Sequence, residues 1–162
     1  MGQTDVEGFG VLPSSIVQSR QPGQRISLAE KRASLRILND LARSVSYVRL
    51  DSGLYVQSAC DYSASSNEDA PRGFLVELKG CHESDAVEQL SSTLVRLRSD
   101  GIRVTYVSAV LVPSGGALMP NAAFQKRQKS FWKATRTRLL RISKGNGGRE
   151  VPFSFFVKKE GE

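Results

Sequence analysis

The sequence has few of the residues that mark several common classes of protein. It contains only two cysteines, one histidine and one tryptophan in 162 residues. Zinc sites and disulfide scaffolds need such residues in closely spaced sets, so we interpret Cys60 and Cys81 as reduced thiols that fill small spaces in the core. The GxGxxG and GxxxxGK[ST] motifs are also missing, so no fingerprint of a nucleotide cofactor is present.

Long apolar runs are missing as well. No stretch approaches the roughly 18 apolar residues that a transmembrane helix needs, and residues 1–25 have neither the basic start nor the apolar centre of a signal peptide. A myristoylation signal is unsupported because Val6 stands where Ser or Thr is expected. We therefore predict a cytoplasmic protein that does not associate with a membrane. The length of 162 residues suits one domain with its own core.

Negative charge is missing from one long segment. Between Pro113 and Arg149 there is no acidic residue but there are nine Lys and Arg, whereas the net charge of the whole chain is +7. The rest of the chain is therefore close to neutral. A basic segment that also contains Phe124, Phe131 and Trp132 favours binding to a phosphate backbone, although a solvated basic helix has the same composition. The candidate nucleic-acid contacts are Lys126, Arg127, Lys129, Lys133 and Arg136.

The chain divides into a lead-in and one domain. Residues 1–26 read as a flexible lead-in, and residues 27–162 as a single domain with a core at 27–112 and a basic extension at 113–162. Ser27-Leu28-Ala29-Glu30 has the form of a capping box, which predicts a helix that runs to about Arg43. Two strands, Ser46 to Leu50 and Leu54 to Tyr62, are then expected around a turn at residues 51–53. Residues 63–72 are expected to form a polar loop.

The second half of the chain has clearer periodicity. It predicts a strand from Gly73 to Lys79, a helix from Ser84 to Asp100, a strand from Ile102 to Val112, a helix from Asn121 to about Arg136, and a hairpin formed by 138–143 and 151–157. The core order is thus α-β-β-β-α-β. This order predicts an α/β fold with a mixed sheet flanked by helices and a basic C-terminal extension.

The triplet Glu77-Leu78-Lys79 ends an otherwise apolar strand. Side chains alternate along a strand, so Glu77 and Lys79 are expected on one face while Leu78 points to the other. A buried charge is costly unless something compensates it. Asp61, on the strand expected before this one, supplies a second carboxylate, although alone it could be a strand-end turn residue. Glu-x-Lys alone also arises by chance as an ion pair on an exposed strand.

Together these residues have the chemistry of a site that binds Mg²⁺ and cleaves phosphodiesters. Mg²⁺ prefers oxygen ligands and usually takes one or two carboxylates, with water and substrate phosphate completing its coordination. Asp61 and Glu77 would supply the carboxylates and the carbonyl group of Leu78 a further ligand. Lys79 would orient the attacking water or stabilise the charge that develops on phosphorus.

The Asp…Glu-x-Lys spacing on this order of elements resembles the PD-(D/E)XK nuclease superfamily, which includes restriction endonucleases and Holliday-junction resolvases. The resemblance covers residues 27–112, and Cys60 stands where the family usually has proline. It implies Mg²⁺-dependent cleavage, with Mn²⁺ able to substitute, in which Asp61 and Glu77 bind the metal and Lys79 is the catalytic lysine.

The same resemblance implies roles for two further residues. Glu30 matches a glutamate that the family often has in its first helix, and Gln89 matches a polar residue on the helix after the third strand. Each residue has a plainer interpretation. Glu30 occupies the capping-box position that favours glutamate for helical reasons, and Gln89 could bond a neighbouring backbone group.

Two functions of different classes follow. The first is a metal-dependent nuclease that acts on nucleic acid, DNA more than RNA, as a homodimer or as a subunit of a larger complex. The alternative is a catalytically inactive module with a nuclease fold that binds nucleic acid or a partner protein. Metal-dependent cleavage separates the two, since the binding module would show only salt-dependent association.

Overall fold

The computed structural model describes residues 7–30, 33–51, 53–55, 59–78, 82–113, 120–142 and 150–159. Within these ranges the chain forms three α-helices, α1 (Glu83–Ser99), α2 (Asn121–Thr135) and α3 (Phe153–Val157). The same ranges contain nine strands, β1 (Val17–Arg20), β2 (Arg25–Glu30), β3 (Ala33–Leu38), β4 (Val45–Arg49), β5 (Tyr62–Ser66), β6 (Arg72–Glu77), β7 (Thr105–Leu111), β8 (Arg138–Arg141) and β9 (Val151–Pro152).

Six of the described strands form a mixed sheet in the order β1-β4-β5-β6-β7-β8. Neighbours from β1 to β6 are antiparallel, whereas β6, β7 and β8 run parallel. Parallel neighbours need a crossover connection, and helices α1 and α2 provide the two crossovers. The predicted α/β class with a mixed sheet flanked by helices is therefore confirmed.

Helices α1 and α2 pack on one face of this sheet, which we call the helix face. The apolar side chains on one side of α1 are buried: Ala86, Val87, Leu90, Leu94 and Leu97. They recur at helical spacing, so one stripe of α1 contacts the sheet. The helix ends at Asp100, and Gly101 follows with a φ of 84° that suits glycine.

A smaller sheet and helix α3 cover the opposite face, which we call the hairpin face. Strands β2, β3 and β9 make up the smaller sheet within the described residues. Phe74 of β6 is fully buried there, and its ring stacks on Phe156 at 4.5 Å and meets Phe153 edge-on at 5.1 Å. These contacts close the second layer over the six-stranded sheet.

The predicted alternation along β6 is confirmed for the described residues. Phe74, Val76 and Leu78 belong to the apolar cluster of the hairpin face, and Leu75 belongs to the cluster of the helix face. Glu77 follows Leu75 at the next same-face position. The triplet therefore directs its carboxylate toward the helix layer, as expected.

The helix predicted from Ser27 to about Arg43 is wrong. Strands β2 and β3 form an antiparallel hairpin instead, with Leu28 opposite Leu35 and Ile26 opposite Ile37. Side chains along both strands alternate between buried and exposed. Burial of that period-two face against the large sheet outweighs the local capping-box signal.

Two further predictions in the first half of the chain are wrong. Strand β5 spans Tyr62–Ser66 and takes up the first half of the segment, 63–72, that was expected to be a polar loop. Of the strand expected from Leu54 to Tyr62, only Tyr62 belongs to a strand among the described residues. Residues 56–58 lie outside the described residues. The predicted lead-in includes edge strand β1, which pairs with β4, and the buried ring of Phe9.

The predicted C-terminal hairpin is also wrong. Strand β8 pairs in parallel with β7 of the large sheet, and β9 pairs in parallel with β3 of the smaller sheet. Residues 153–157 are helical. Leu139 of β8 is buried in the cluster of the helix face, whereas Phe153 and Phe156, which follow β9, are buried in the cluster of the hairpin face. Among the described helices, none has the length and apolar character needed to cross a membrane.

Candidate metal centre and basic edge groove

Asp61 and Glu77 come together where β5 begins and β6 ends. Tyr62 pairs with Val76 in the antiparallel register, so the next opposing positions are Asp61 and Glu77. Opposing residues in such a pair have Cα atoms about 4.5–5.5 Å apart and share a face. The backbone N–H of Leu78 donates to Oδ2 of Asp61 at 2.7 Å. Both residues are 2% exposed, so two carboxylates are buried side by side.

Helix α1 holds the segment that leads into Asp61. Gln89 Nε2 donates to the carbonyl oxygen of Ala59 at 2.9 Å, and the backbone N–H of Cys60 donates to Oγ1 of Thr93 at 3.0 Å. The structure thus places Gln89 beside the predicted site, with its amide bonded to a backbone group. The carboxylate of Asp61 is therefore fixed by both a neighbouring strand and a helix.

Both carboxylates affect the pKa of the buried thiol of Cys60. Burial is the largest cause that raises the pKa of the Cys60 thiol, followed by the negative charges of Glu77 and then Asp61. Cys60 is fully buried in the apolar cluster of the helix face, which agrees with its interpretation from sequence as a thiol that fills a small space in the core.

The donor set fits Mg²⁺ better than zinc. Two opposed carboxylates match the small number of protein ligands that Mg²⁺ usually takes. Across the part of the chain that the structure describes, no group of three or more His, Cys, Asp and Glu could hold a metal. The carbonyl group of Leu78 stays a predicted third ligand, and Lys79, the predicted catalytic lysine, lies outside the described residues.

The structure does not bring Glu30 to this centre. Glu30 ends strand β2 of the smaller sheet, and its carboxylate accepts from Nη2 of Arg49 at 3.2 Å. The smaller sheet covers the hairpin face, whereas Asp61 and Glu77 share the helix face. Because the predicted first helix is a strand, the helical rationale for Glu30 no longer holds.

A third buried carboxylate lies nearby and was missed from sequence. Glu83 lies in the first turn of α1. Nη1 of Arg141 donates hydrogen bonds to both of its carboxylate oxygens, at 3.0 Å each. Across the parallel strands Glu77 pairs with Leu111, and Leu111 pairs with Arg141. Arg141 therefore shares the carboxyl edge of the sheet with Glu77. No sequence pattern signals this pairing, because it depends on two separate crossovers.

Three adjoining cavities follow the outer edge of strand β8, between α2 and α3. Their volumes are about 340, 400 and 440 Å³. The first two share Gln128 and Leu140, and the last two share Trp132 and Arg138. We call this continuous feature the edge groove. Five cationic side chains line it and no described acidic residue does; the cations are Lys129, Arg136, Arg138, Arg141 and Lys159.

The five basic residues predicted to contact nucleic acid are all exposed, but only two of them line the edge groove. They lie on α2 and at its C-terminal cap. Lys129 and Arg136 line the edge groove, whereas Lys126, Arg127 and Lys133 line none of the three cavities. Arg138 and Lys159 are groove residues that sequence reasoning did not select. The positive charge of the C-terminal part of the sequence indicated a basic surface, but charge alone does not indicate which residues line a groove.

Comparison with models of protein families, with curated proteins and with solved structures found no match for this chain.

Proposed function

We propose that this protein is a metal-dependent nuclease that hydrolyses phosphodiester bonds in DNA. The observation that carries the proposal is the placement of Asp61 directly opposite Glu77, both buried, on one face of a mixed sheet. Two neighbouring buried carboxylates are a donor set of the kind that binds a divalent cation such as Mg²⁺. The resemblance to PD-(D/E)XK nucleases predicts the same two ligands.

The chain's own residues would prepare the site before any metal or substrate binds. The N–H of Leu78 and the hydrogen bonds from α1 fix the orientation of Asp61. Glu77 is fixed because its carbonyl group accepts from the N–H of Val112 at 2.9 Å, which holds the end of β6 against β7. Ligands that are positioned in advance need little reorganisation during the reaction.

Mg²⁺ bound by Asp61 and Glu77 would supply a Lewis acid for the scissile phosphate and lower the pKa of a bound water. The edge groove would hold the phosphate backbone. Arg141 links the two regions, because it lines the groove and lies at the same sheet edge as Glu77.

The test is cleavage of labelled single-stranded, duplex and branched DNA in Mg²⁺ or Mn²⁺. We expect the Glu77→Gln substitution to reduce the rate about a hundredfold or more, because several kcal/mol of transition-state stabilisation come from the metal. The matched control is Glu88→Gln, which makes the same change at an exposed position of α1. Calorimetry with Mg²⁺ should show one binding site in wild type and none in Glu77→Gln.

The fold of the Glu77→Gln variant is checked separately by its free energy of unfolding. Glutamine keeps the volume of the buried side chain, so the variant should still unfold in one cooperative transition. Unchanged cleavage by this variant in Mg²⁺, or no cleavage of any of the three substrates by the wild-type protein, would contradict the proposal.

The second candidate is a binding module that keeps the fold without catalysis. One observation favours it. Asp61 and Gln89, which the nuclease resemblance assigns to the site, both make hydrogen bonds within the protein that stabilise the fold without any ligand. Such a module would bind DNA with a strong dependence on salt and would show no Mg²⁺ site in calorimetry.

A further inference from the structure

We propose that the edge groove binds single-stranded nucleic acid, with Trp132 as the surface on which a base stacks. This inference rests on the proposed function, which gives nucleic acid as the substrate. It adds that the protein holds the nucleic acid as a single strand. The argument depends on the exposure of Trp132, the charge around it and the direction of the groove.

Trp132 is placed as a stacking surface. Its side chain is 39% exposed although tryptophan is a large apolar residue. It lines both the second and the third cavity, with volumes of about 400 and 440 Å³, so it forms the wall between them. The guanidinium of Arg136 lies 5.7 Å from the centroid of its ring. An aromatic ring flanked by a cation is the arrangement that stacks bases of any sequence.

The charge around Trp132 suits phosphate. Lys129, Arg136, Arg138 and Lys159 line the two cavities that share the tryptophan. Arg138 is held by a bond from its Nη2 to the carbonyl oxygen of Lys158 at 2.8 Å. Its guanidinium is thereby fixed at the wall that the two cavities share.

The groove leads toward the carboxylate pair. Along β8 the distance from Arg138 to Arg141 is about 10 Å, and β6 lies about 10 Å across the sheet from β8, given strand spacings of about 4.8 Å. Arg141 and Glu77 occupy the same register row through Leu111. A single strand that begins on Trp132 and follows β8 would therefore arrive at Arg141, which binds Glu83 and lies about two strand spacings from Glu77. Single strands can bend around the sheet edge in this way, whereas a duplex is stiff over such distances.

An extended peptide fits the groove less well. A peptide that added to the sheet beside β8 would have to form hydrogen bonds with the backbone N–H and C=O groups of β8 that point away from β7. Gln128 Nε2 already donates to the carbonyl oxygen of Leu139 at 2.8 Å. The side chain of Gln128 thus occupies a position that an added strand would need.

The experiment uses the fluorescence of Trp132, the only tryptophan in the sequence. The full chain is titrated in EDTA with an oligothymidylate of about 12 nucleotides, so that no cleavage occurs. Stacking should quench the fluorescence, and a duplex of equal length should compete at least about tenfold more weakly. Quenching in EDTA does not depend on the metal site, so its failure is distinguishable from the failure of the nuclease proposal.

Binding of the labelled oligonucleotide by variants is measured by anisotropy. Trp132→Ala should weaken binding about 5- to 100-fold, the effect of losing one stacked base, and Trp132→Phe should recover most of it. Lys129→Ala should weaken binding and reduce its dependence on salt, whereas the control Arg36→Ala, which removes an exposed cation of strand β3 outside the groove, should change binding less than about threefold.

Several outcomes would overturn the proposal. These are an absence of quenching, wild-type affinity in Trp132→Ala, equal competition by duplex, or displacement of the oligonucleotide by polyglutamate at comparable concentration. The last result would mean that the groove accepts acidic peptides.

Discussion

The two faces of the six-stranded sheet are both closed to solvent, but they bury different chemistry. The hairpin face is closed mainly by aromatic and branched apolar side chains, with Phe74, Phe153 and Phe156 at its centre. The helix face has an apolar cluster too, but all three buried carboxylates among the described residues belong to it: Asp61, Glu77 and Glu83. Apolar packing therefore explains one face fully and the other only in part.

This difference shows where stability and function separate. A carboxylate buried in place of a leucine reduces the free energy of unfolding, so its presence requires either a compensating partner or a ligand. Glu83 has such a partner in Arg141. Asp61 accepts a hydrogen bond from the backbone N–H of Leu78, and Glu77 lies at the position that continues the same strand register. The helix face is thus the face that contains the proposed metal ligands.

The largest expected effect tests the hairpin face. Phe74→Ala should reduce the free energy of unfolding by about 3–5 kcal/mol, because it removes a fully buried ring and leaves a cavity between the two sheets. Chemical denaturation measures the loss. The control is Phe155→Ala, whose side chain is 47% exposed and should lose less than about 1 kcal/mol. Similar losses in both variants would show that the two layers do not pack through Phe74.

An intermediate effect tests the ion pair on the helix face. Arg141→Ala should cost about 3 kcal/mol, because it removes the cation that pairs with the buried carboxylate of Glu83. The double variant Glu83→Leu with Arg141→Met should return to within about 1 kcal/mol of wild type, since an apolar pair of similar volume replaces the ions. A double variant that is no more stable than Arg141→Ala would mean that Arg141 stabilises the sheet edge through its packing on Phe124, 4.3 Å from the ring centroid.

The smallest effect tests the neutral polar contact on the same face. Tyr106→Phe should cost about 1–2 kcal/mol near neutral pH, because the Ser63 hydroxyl loses the partner that lies 2.7 Å away. Burial raises the pKa of Tyr106 above its ordinary value of 10.0. The unfolded chain therefore releases this proton first, so that this contribution to stability is complete below about pH 10 and declines above it.

Denaturation of both proteins between neutral pH and about pH 11 measures the effect. The wild-type protein should lose stability more steeply than Tyr106→Phe above about pH 10. Parallel pH profiles would show that this hydroxyl does not stay protonated in the folded state.

The elements with strong periodicity could be predicted from the sequence. The spacing of Leu90, Leu94 and Leu97 indicated α1, and the apolar run before Glu77 indicated β6 and its alternation. In both cases one face of the element meets the core, so the sequence pattern and the packing agree. The register of β5 and β6 continues to Asp61 and Glu77, although the strand predicted to carry Asp61 does not form and Asp61 precedes β5.

The failures occurred where local and tertiary preferences conflict. The segment that contains Ser27 and Glu30 has a capping-box pattern, which predicts a helix. Ile26 and Leu28 also alternate with polar residues, and this second pattern predicts the strand that the structure has. Strand β5 is rich in serine, a weak strand former. It is buried because it lies between β4 and β6, and no local pattern reports that position. The edge groove combines residues from α2, β8 and the segment after α3, so only the assembled fold defines it.

One backbone angle has a consequence for efforts to stabilise this protein. Arg136 ends α2 with a φ of 57°, in the left-handed region that costs a residue with a side chain about 1–2 kcal/mol. Glycine adopts that conformation without strain and is the usual residue after a helix end. A search for more heat-resistant variants would therefore select glycine at this position. The resulting protein would be more stable, but it would lack the cation beside Trp132.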